Sequence, residues 1–333
     1  MKAVRIHEYG GDDVLRVEDV PEPTPGPDDV LVDVHAAAVN PVDWKIRSGS
    51  QRAVVRLRLP AILGMDVSGV VAAAGDRVTQ FRAGDEVFAS PHHRRQGGYA
   101  ERVAIRAAEC ARKPANLTHV EAAALPLASL TAWGCLVDHG RVEPGQRVLI
   151  HAGAGGVGSV AIQLAKHLGA EVATTCSARN IDWVRSLGAD RAIDYGAEDF
   201  AAVLAGEIDV AVDAVGGDVA RRTVRAVRRG GRLVTIQTDL PAHVARFGPR
   251  LGVAVAAARL VGFAVRARVA RGVRVSLVVR RPDGRRLARI AELCEAGALR
   301  PVVGAEFPLD DVAAAHRLSE SGHARGKIVL RVR

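Results

Sequence analysis

The chain has 333 residues, 48% of them hydrophobic and 25% charged, with a formal net charge of +9. That length allows about two domains, and the composition is that of an ordinary globular protein rather than a disordered or fibrous one. The arginines are spread along the chain and densest from Arg259 to Arg286, so the charge reads as solvated surface that favours an anionic small molecule and argues against a nucleic-acid partner.

The N-terminus, Met1 to Glu8, is charged from the start and lacks the apolar core of a signal peptide. The four cysteines (Cys110, Cys135, Cys176, Cys294) are isolated, with no CxxC pair. They indicate neither a disulfide framework nor a zinc knuckle, and a reducing cytoplasm is expected. The longest apolar stretch, Leu251 to Val265, is interrupted by Arg259 and is too short to span a membrane.

Residues 1–122 read as short strands separated by turns: Val30–His35, Val67–Ala73 and Asp85–Phe88, with a proline-rich loop at Pro21–Pro27. This is the first part of a β-rich domain. Over 123–281 strands alternate with helical stretches. The strands are expected at Val148–His151, Glu171–Thr175, Arg191–Ile193, Val210–Asp213, Arg232–Ile236 and Val273–Val279. That alternation predicts a doubly wound parallel sheet. Residues 282–333 hold an amphipathic helix, Arg285–Ala296, and a closing strand from Lys327. They are expected to return to the first domain.

The most telling segment is Val148 to Gly158. An apolar run meets Gly153-x-Gly155-x-x-Gly158, and a helical stretch follows from Ser159. Strand, tight glycine turn and helix N-terminus together make a pyrophosphate cradle of Gly153, Gly155, Gly156, Val157 and Gly158. In NAD enzymes an acid stands at the end of the second strand. Here that end reads Thr175-Cys176-Ser177-Ala178-Arg179-Asn180. Ser177, Arg179 and Asn180 suit a 2′-phosphate instead, so NADPH is the expected coenzyme.

Several motifs then resemble the zinc-free quinone oxidoreductase branch of the medium-chain dehydrogenase/reductase superfamily. They are Asn40-Pro41-Val42-Asp43-Trp44-Lys45-Ile46-Arg47-Ser48-Gly49, Gly64-Met65-Asp66-Val67-Ser68-Gly69, Gly97-Gly98-Tyr99-Ala100-Glu101, Leu125 to Trp133 and Ser321 to Lys327. The resemblance covers nearly the whole chain. It implies an α/β fold, a GroES-like β-rich catalytic domain joined to a Rossmann domain. It also implies NADPH-dependent hydride transfer to a quinone or an α,β-unsaturated carbonyl, and no metal. Where zinc-dependent relatives carry catalytic ligands, this chain has Asn40, Met65 and Leu127, which cannot hold Zn²⁺. By the same resemblance Tyr195 joins the 2′-phosphate contacts. Val215, Gly216, His323, Ala324 and Arg325 become coenzyme contacts, and Thr131 approaches the nicotinamide. Asn40 would donate to the substrate carbonyl or to the nicotinamide. Lys45 would stabilise an oxyanion or relay a proton, and Asp43 would fix the loop or Lys45.

Two other functions stay open. One is an enoyl-thioester reductase of a polyketide or fatty-acid pathway. The other is a non-catalytic NADPH- or RNA-binding family member. Residues 243–272 admit a helix packed on its own domain, a cover shared with a partner subunit, or, less well, a contact with an anionic membrane. The expected assembly is a homodimer in which strand Val273–Val279 pairs edge to edge.

Overall fold

The computed structural model describes residues 1–333, which divide into two units. One is Met1–Leu130 together with Arg281–Arg333; the other is Thr131–Arg280.

The first unit begins with β1 (Lys2–Ile6), β2 (Arg16–Asp19), β3 (Asp29–Val39), β4 (Ala61–Ile62), β5 (Val67–Ala74), β6 (Glu86–Ala89), β7 (Arg102–Arg106) and β8 (Cys110–Arg112). Helices α1 (Pro41–Arg47), α2 (His119–Ala123) and α3 (Pro126–Trp133) accompany them. Most strands are valine-rich and carry their apolar residues into one core, from Val4 and Ile6 through Val30, Val32 and Val34 to Val87 and Ile105. Helix α2 starts on a reciprocal cap. Thr118 Oγ1 accepts from the Glu121 amide, and the Glu121 carboxylate accepts from the Thr118 amide at 2.8 Å. Its Ala123, with Ala124, packs on Ala36 and Ala38 of β3. These small residues fasten α2 to the first unit.

The second unit follows the expected alternation: β9 (Arg147–Ile150), α4 (Gly156–His167), β10 (Glu171–Cys176), α5 (Ile181–Ser186), β11 (Arg191–Asp194), α6 (Phe200–Val203), β12 (Ile208–Asp213), α7 (Gly217–Ala226), β13 (Val227–Thr235), α8 (Leu240–Phe247), α9 (Pro249–Arg271) and β14 (Arg274–Leu277). Its six strands pair in parallel in the order β11-β10-β9-β12-β13-β14. Counted from the first strand of this unit that is 3-2-1-4-5-6, the dinucleotide-binding arrangement. Val148, Leu149 and Ile150 of the central strand are all fully buried, as a strand covered on both faces requires.

The chain then returns to the first unit with α10 (Gly284–Glu295), β15 (Val303–Pro308), α11 (Val312–Glu320) and β16 (Lys327–Arg331). Strand β16 pairs antiparallel with β3, and β15 pairs with β16. Gly284 opens α10 so close to β8 that a Cβ there would stand 2.3 Å from the Cys110 carbonyl oxygen. No helix is long and apolar enough to cross a membrane.

Candidate active site

In the second unit, β9 ends at Ile150 and α4 begins at Gly156. The turn between them is fixed by Gly153 N–H to Thr175 O (3.0 Å) and Gly155 N–H to Ala152 O (3.0 Å). The three glycines serve different ends. A Cβ on Gly153 would lie 2.0 Å from Thr174 Oγ1, and one on Gly158 would lie 2.2 Å from Ala152 O. Both are therefore packing positions between turn, strand and helix. A Cβ on Gly155 would meet only Ala152 O, at 3.3 Å. Gly155 is the N-cap residue of α4, and apart from Ala152 O its side is open. The first-turn amides of Gly156, Val157 and Gly158 have no intrahelical acceptor and carry the positive end of the helix dipole. The cradle fits a pyrophosphate.

After β10 the chain makes one tight turn, Ala178–Asn180, capped by Ser177. Asn180 Nδ2 donates to Ser177 Oγ at 3.1 Å, Asn180 is buried, and Arg179 is exposed. No acid follows in sequence from Ser177 to Ile181, although Asp194 of β11 stands in register with Cys176. The next acid, Asp182, pairs with Arg185 at 3.5 Å. Tyr195 follows β11 with its side chain exposed. Asp213, fully buried at the end of β12, accepts from the Val215 and Gly216 amides (3.0 and 2.8 Å) and from Thr235 Oγ1 (2.8 Å). It thereby sets the course of the backbone at Val215 and Gly216. His151 is buried between Thr175 Oγ1 (3.0 Å) and Thr223 Oγ1 (2.9 Å). Burial pulls its pKa down to about 4, so it is a neutral structural imidazole. Thr131 is buried in α3.

In the first unit the three positions that correspond to zinc ligands meet around one carboxylate. Asp66, fully buried and next to Met65, accepts from Asn40 Nδ2 (2.9 Å) through Oδ2 and from the Leu127 amide (2.7 Å) through Oδ1. Lys327, on β16, donates to Asp66 Oδ2 (3.0 Å) and to Asn40 Oδ1. Asn40 is only 2% exposed, and its amide also points at Ala38 O (3.4 Å). Both ends of that amide are engaged inside the domain, so it is not the free donor that its position in the motif suggested. No group of three or more His, Cys, Asp or Glu side chains is arranged to hold a metal ion.

A second buried chain of polar groups adjoins the first. Asp43 Oδ2 accepts from the Asn40 amide (2.8 Å) and from Tyr99 Oη (2.9 Å). Its Oδ1 is buried with no partner. Burial, above all, raises the Asp43 carboxyl to about 7. Tyr99 Oη meets His316 Nε2 at 3.3 Å, His316 Nδ1 meets Arg47 at 3.1 Å, and Arg47 pairs with Glu320 at 2.6 Å. Burial, followed by the Arg47 charge, lowers His316 to about 3. The region 41–47, expected as a loop, is helix α1 with Pro41 in its first turn. Lys45 lies on that helix, 5.5 Å over the Trp44 ring, and makes no ion pair. Partial burial lowers its pKa.

Asp66, Tyr99, His316 and Lys327 were not singled out by sequence reasoning. They come from segments as far apart as residues 66 and 327, and only the strand pairing of β16 with β3 brings Lys327 to Asn40. His323, Ala324 and Arg325 form the turn before β16, with His323 and Arg325 exposed.

Comparison with known proteins places the chain in a family. The family profile described as "Alcohol dehydrogenase GroES-like domain" matches residues 26–115, and "Zinc-binding dehydrogenase" matches residues 187–330. A zebrafish (Danio rerio) protein named "NAD(P)H oxidoreductase RTN4IP1, mitochondrial" is 35% identical over 354 residues, covering 100% of this chain and 91% of that protein. An Arabidopsis thaliana protein named "NADPH-dependent alkenal/one oxidoreductase, chloroplastic" is 36% identical, covering 99% of this chain and 79% of that one. The solved structure of the quinone oxidoreductase from Coxiella burnetii superposes with a TM-score of 0.87 at 33% identity, covering 100% and 99% of the two chains. A GroES-like domain with a Rossmann domain defines the medium-chain dehydrogenase/reductase superfamily, and this chain belongs to its quinone oxidoreductase group.

Proposed function

We propose that the chain is an NADPH-dependent oxidoreductase that delivers hydride to a quinone or an α,β-unsaturated carbonyl without a metal ion. One observation carries the reading: where zinc-dependent relatives hold their metal, Asn40, Met65 and Leu127 stand around a carboxylate already neutralised by Lys327. Without a Lewis acid, alcohol oxidation lacks its means of activation, whereas reduction of an electron-poor acceptor does not need one. The names of the relatives point to the same chemistry.

NADPH would be held by the backbone of Gly153, Gly155, Gly156, Val157 and Gly158, with Ser177, Arg179, Asn180 and Tyr195 toward the 2′-phosphate. Val215, Gly216, Thr131, His323, Ala324 and Arg325 complete the proposed contacts. When bound, its nicotinamide supplies the hydride. Asn40 acts through position: tied to Asp66 and Lys327 and followed by Asp43, it holds the start of α1. Lys45, on that helix and without a counter-ion, is the residue we assign to the developing enolate or quinolate oxygen, as oxyanion partner or proton donor. A homodimer through β14, whose outer edge pairs with no strand, and a cytoplasmic setting belong to the same reading.

The test is a substrate panel with purified protein. Turnover is expected with NADPH and a quinone or an alkenal, undiminished by EDTA. Efficient oxidation of ethanol with NADP⁺, or activity abolished by chelation, would overturn the reading. Reduction of enoyl-thioesters far faster than of quinones or enones would favour the enoyl reductase alternative.

A further inference from the structure

The charge of this protein is concentrated in one place. From Leu240 to Arg280 there are eight arginines and no Lys, Asp or Glu. All but one of the chain's nine net positive charges therefore lie in this segment, most of them on α8 and α9. Elsewhere in the second unit several arginines are paired, as Arg222 is with Asp199 (2.6 Å) and Arg147 with Glu171 (3.1 Å). By contrast Arg246, Arg250, Arg259, Arg266, Arg268, Arg271 and Arg274 have no carboxylate partner.

The two helices form a hairpin. Gly248 turns the chain, and Gly252 brings α9 so close to α8 that a Cβ would lie 2.5 Å from Val244 Cα. Phe263 and Ala267 of α9 pack on the core of the parallel sheet. The opposite face is also apolar. Leu251, Val261, Val265 and Val269 are 57%, 62%, 55% and 79% exposed. With Ala254 and Ala258 they fall, at 3.6 residues per turn, within about a quarter of the helix circumference. Arg250 and Arg268 border this stripe on one side, Arg259 and Arg266 on the other. An outward apolar stripe between two rows of arginine is the pattern of a helix lying in a lipid headgroup layer, where the arginine stems follow the apolar surface and the guanidinium groups reach phosphate.

We propose that the α8–α9 hairpin seats the protein on the surface of an anionic lipid bilayer. A second copy of the chain is the poorer occupant, because two such acid-free helices would bring their arginines together with nothing to neutralise them. Nucleic acid would meet the arginines but leave the valine stripe against a polar backbone.

The test uses the full-length protein and sedimentation with vesicles of phosphatidylcholine, alone or with 30% phosphatidylglycerol. Binding to the anionic vesicles is expected to exceed binding to the neutral ones by at least tenfold and to fall steeply between 0.1 and 0.5 M NaCl. The double variant Val261→Asp/Val265→Asp, which alters only exposed side chains, should lose at least tenfold in vesicle binding while keeping its circular dichroism spectrum and turnover. Arg250→Gln/Arg271→Gln should weaken binding severalfold per charge removed. Equal binding to both vesicle types, no binding to either, or unchanged binding by the aspartate variant would overturn the proposal. So would self-association in the absence of lipid that the aspartate variant abolishes, since the face would then belong to a second copy. Duplex DNA binding without vesicle binding would assign the arginines to nucleic acid.

Discussion

Asp43 offers a test of the buried polar network that reads directly on stability. The side chain is fully buried at the start of α1. It accepts two hydrogen bonds through Oδ2 and leaves Oδ1 without a partner. Burial outweighs the hydrogen bonds from Asn40 and Tyr99 and the nearby Lys327, so the carboxyl moves from its ordinary 3.8 to about 7. A folded-state pKa above the unfolded value means that the folded protein binds the extra proton. The associated stability is fully present below the unfolded pKa and is lost as pH rises through the folded one. Roughly 4 kcal/mol is the upper bound for the whole shift, at about 1.4 kcal/mol per unit. Asp43→Asn keeps the acceptor oxygen and the shape but has no charge to bury. Its stability relative to wild type should therefore rise by roughly 2–3 kcal/mol between pH 5 and pH 8 and level off above pH 7. Urea denaturation of both proteins at half-unit pH steps measures this. A gap that stays constant with pH, or an Asn variant that loses ground as pH rises, would refute the argument that Asp43 is driven toward its neutral form by burial.

Other outcomes follow from the two sites. Gly155→Ala should fold normally and bind NADPH at least tenfold more weakly by titration, because its Cβ occupies the ligand side of the helix N-terminus, whereas Gly153→Ala, which would collide with Thr174 Oγ1, should lower stability by about 1–3 kcal/mol by denaturation. Arg179→Ala should raise the KM for NADPH and leave that for NADH nearly unchanged; equal losses would remove Arg179 from the 2′-phosphate. Lys327→Met leaves Asp66 buried without its cation and should cost about 3–5 kcal/mol in a denaturation assay, while a near-neutral effect would mean that the Asp66–Lys327 pair does not hold this network together.

The parts of this architecture that were legible in the sequence are those specified locally. The glycine turn, the apolar strands and the absence of an acid after Cys176 are all contained in short windows, and the sheet that forms from them has the dinucleotide-binding order. Lys327 could not be read this way. In its window it is a polar residue opening a final strand, and only the antiparallel register of β16 on β3 carries it to Asn40. For the same reason Asn40 looked like an open donor: its partners Asp66 and Lys327 are distant in sequence. Lys45 was expected on a loop, yet Pro41 begins a helix and Asp43 closes back on the Asn40 amide. Residues 243–272, read as one packed helix or cover, are two helices because the chain breaks at Gly248-Pro249, and α9 is apolar both toward its own domain and away from it.

The central claim is hydride delivery to a conjugated acceptor, and isotope placement tests it most directly. With NADPH deuterated at the transferable C4 position and a simple enone, nuclear magnetic resonance of the product should show one deuterium on the β-carbon and an intact carbonyl. Deuterium on the former carbonyl carbon, giving an allylic alcohol, would contradict the account.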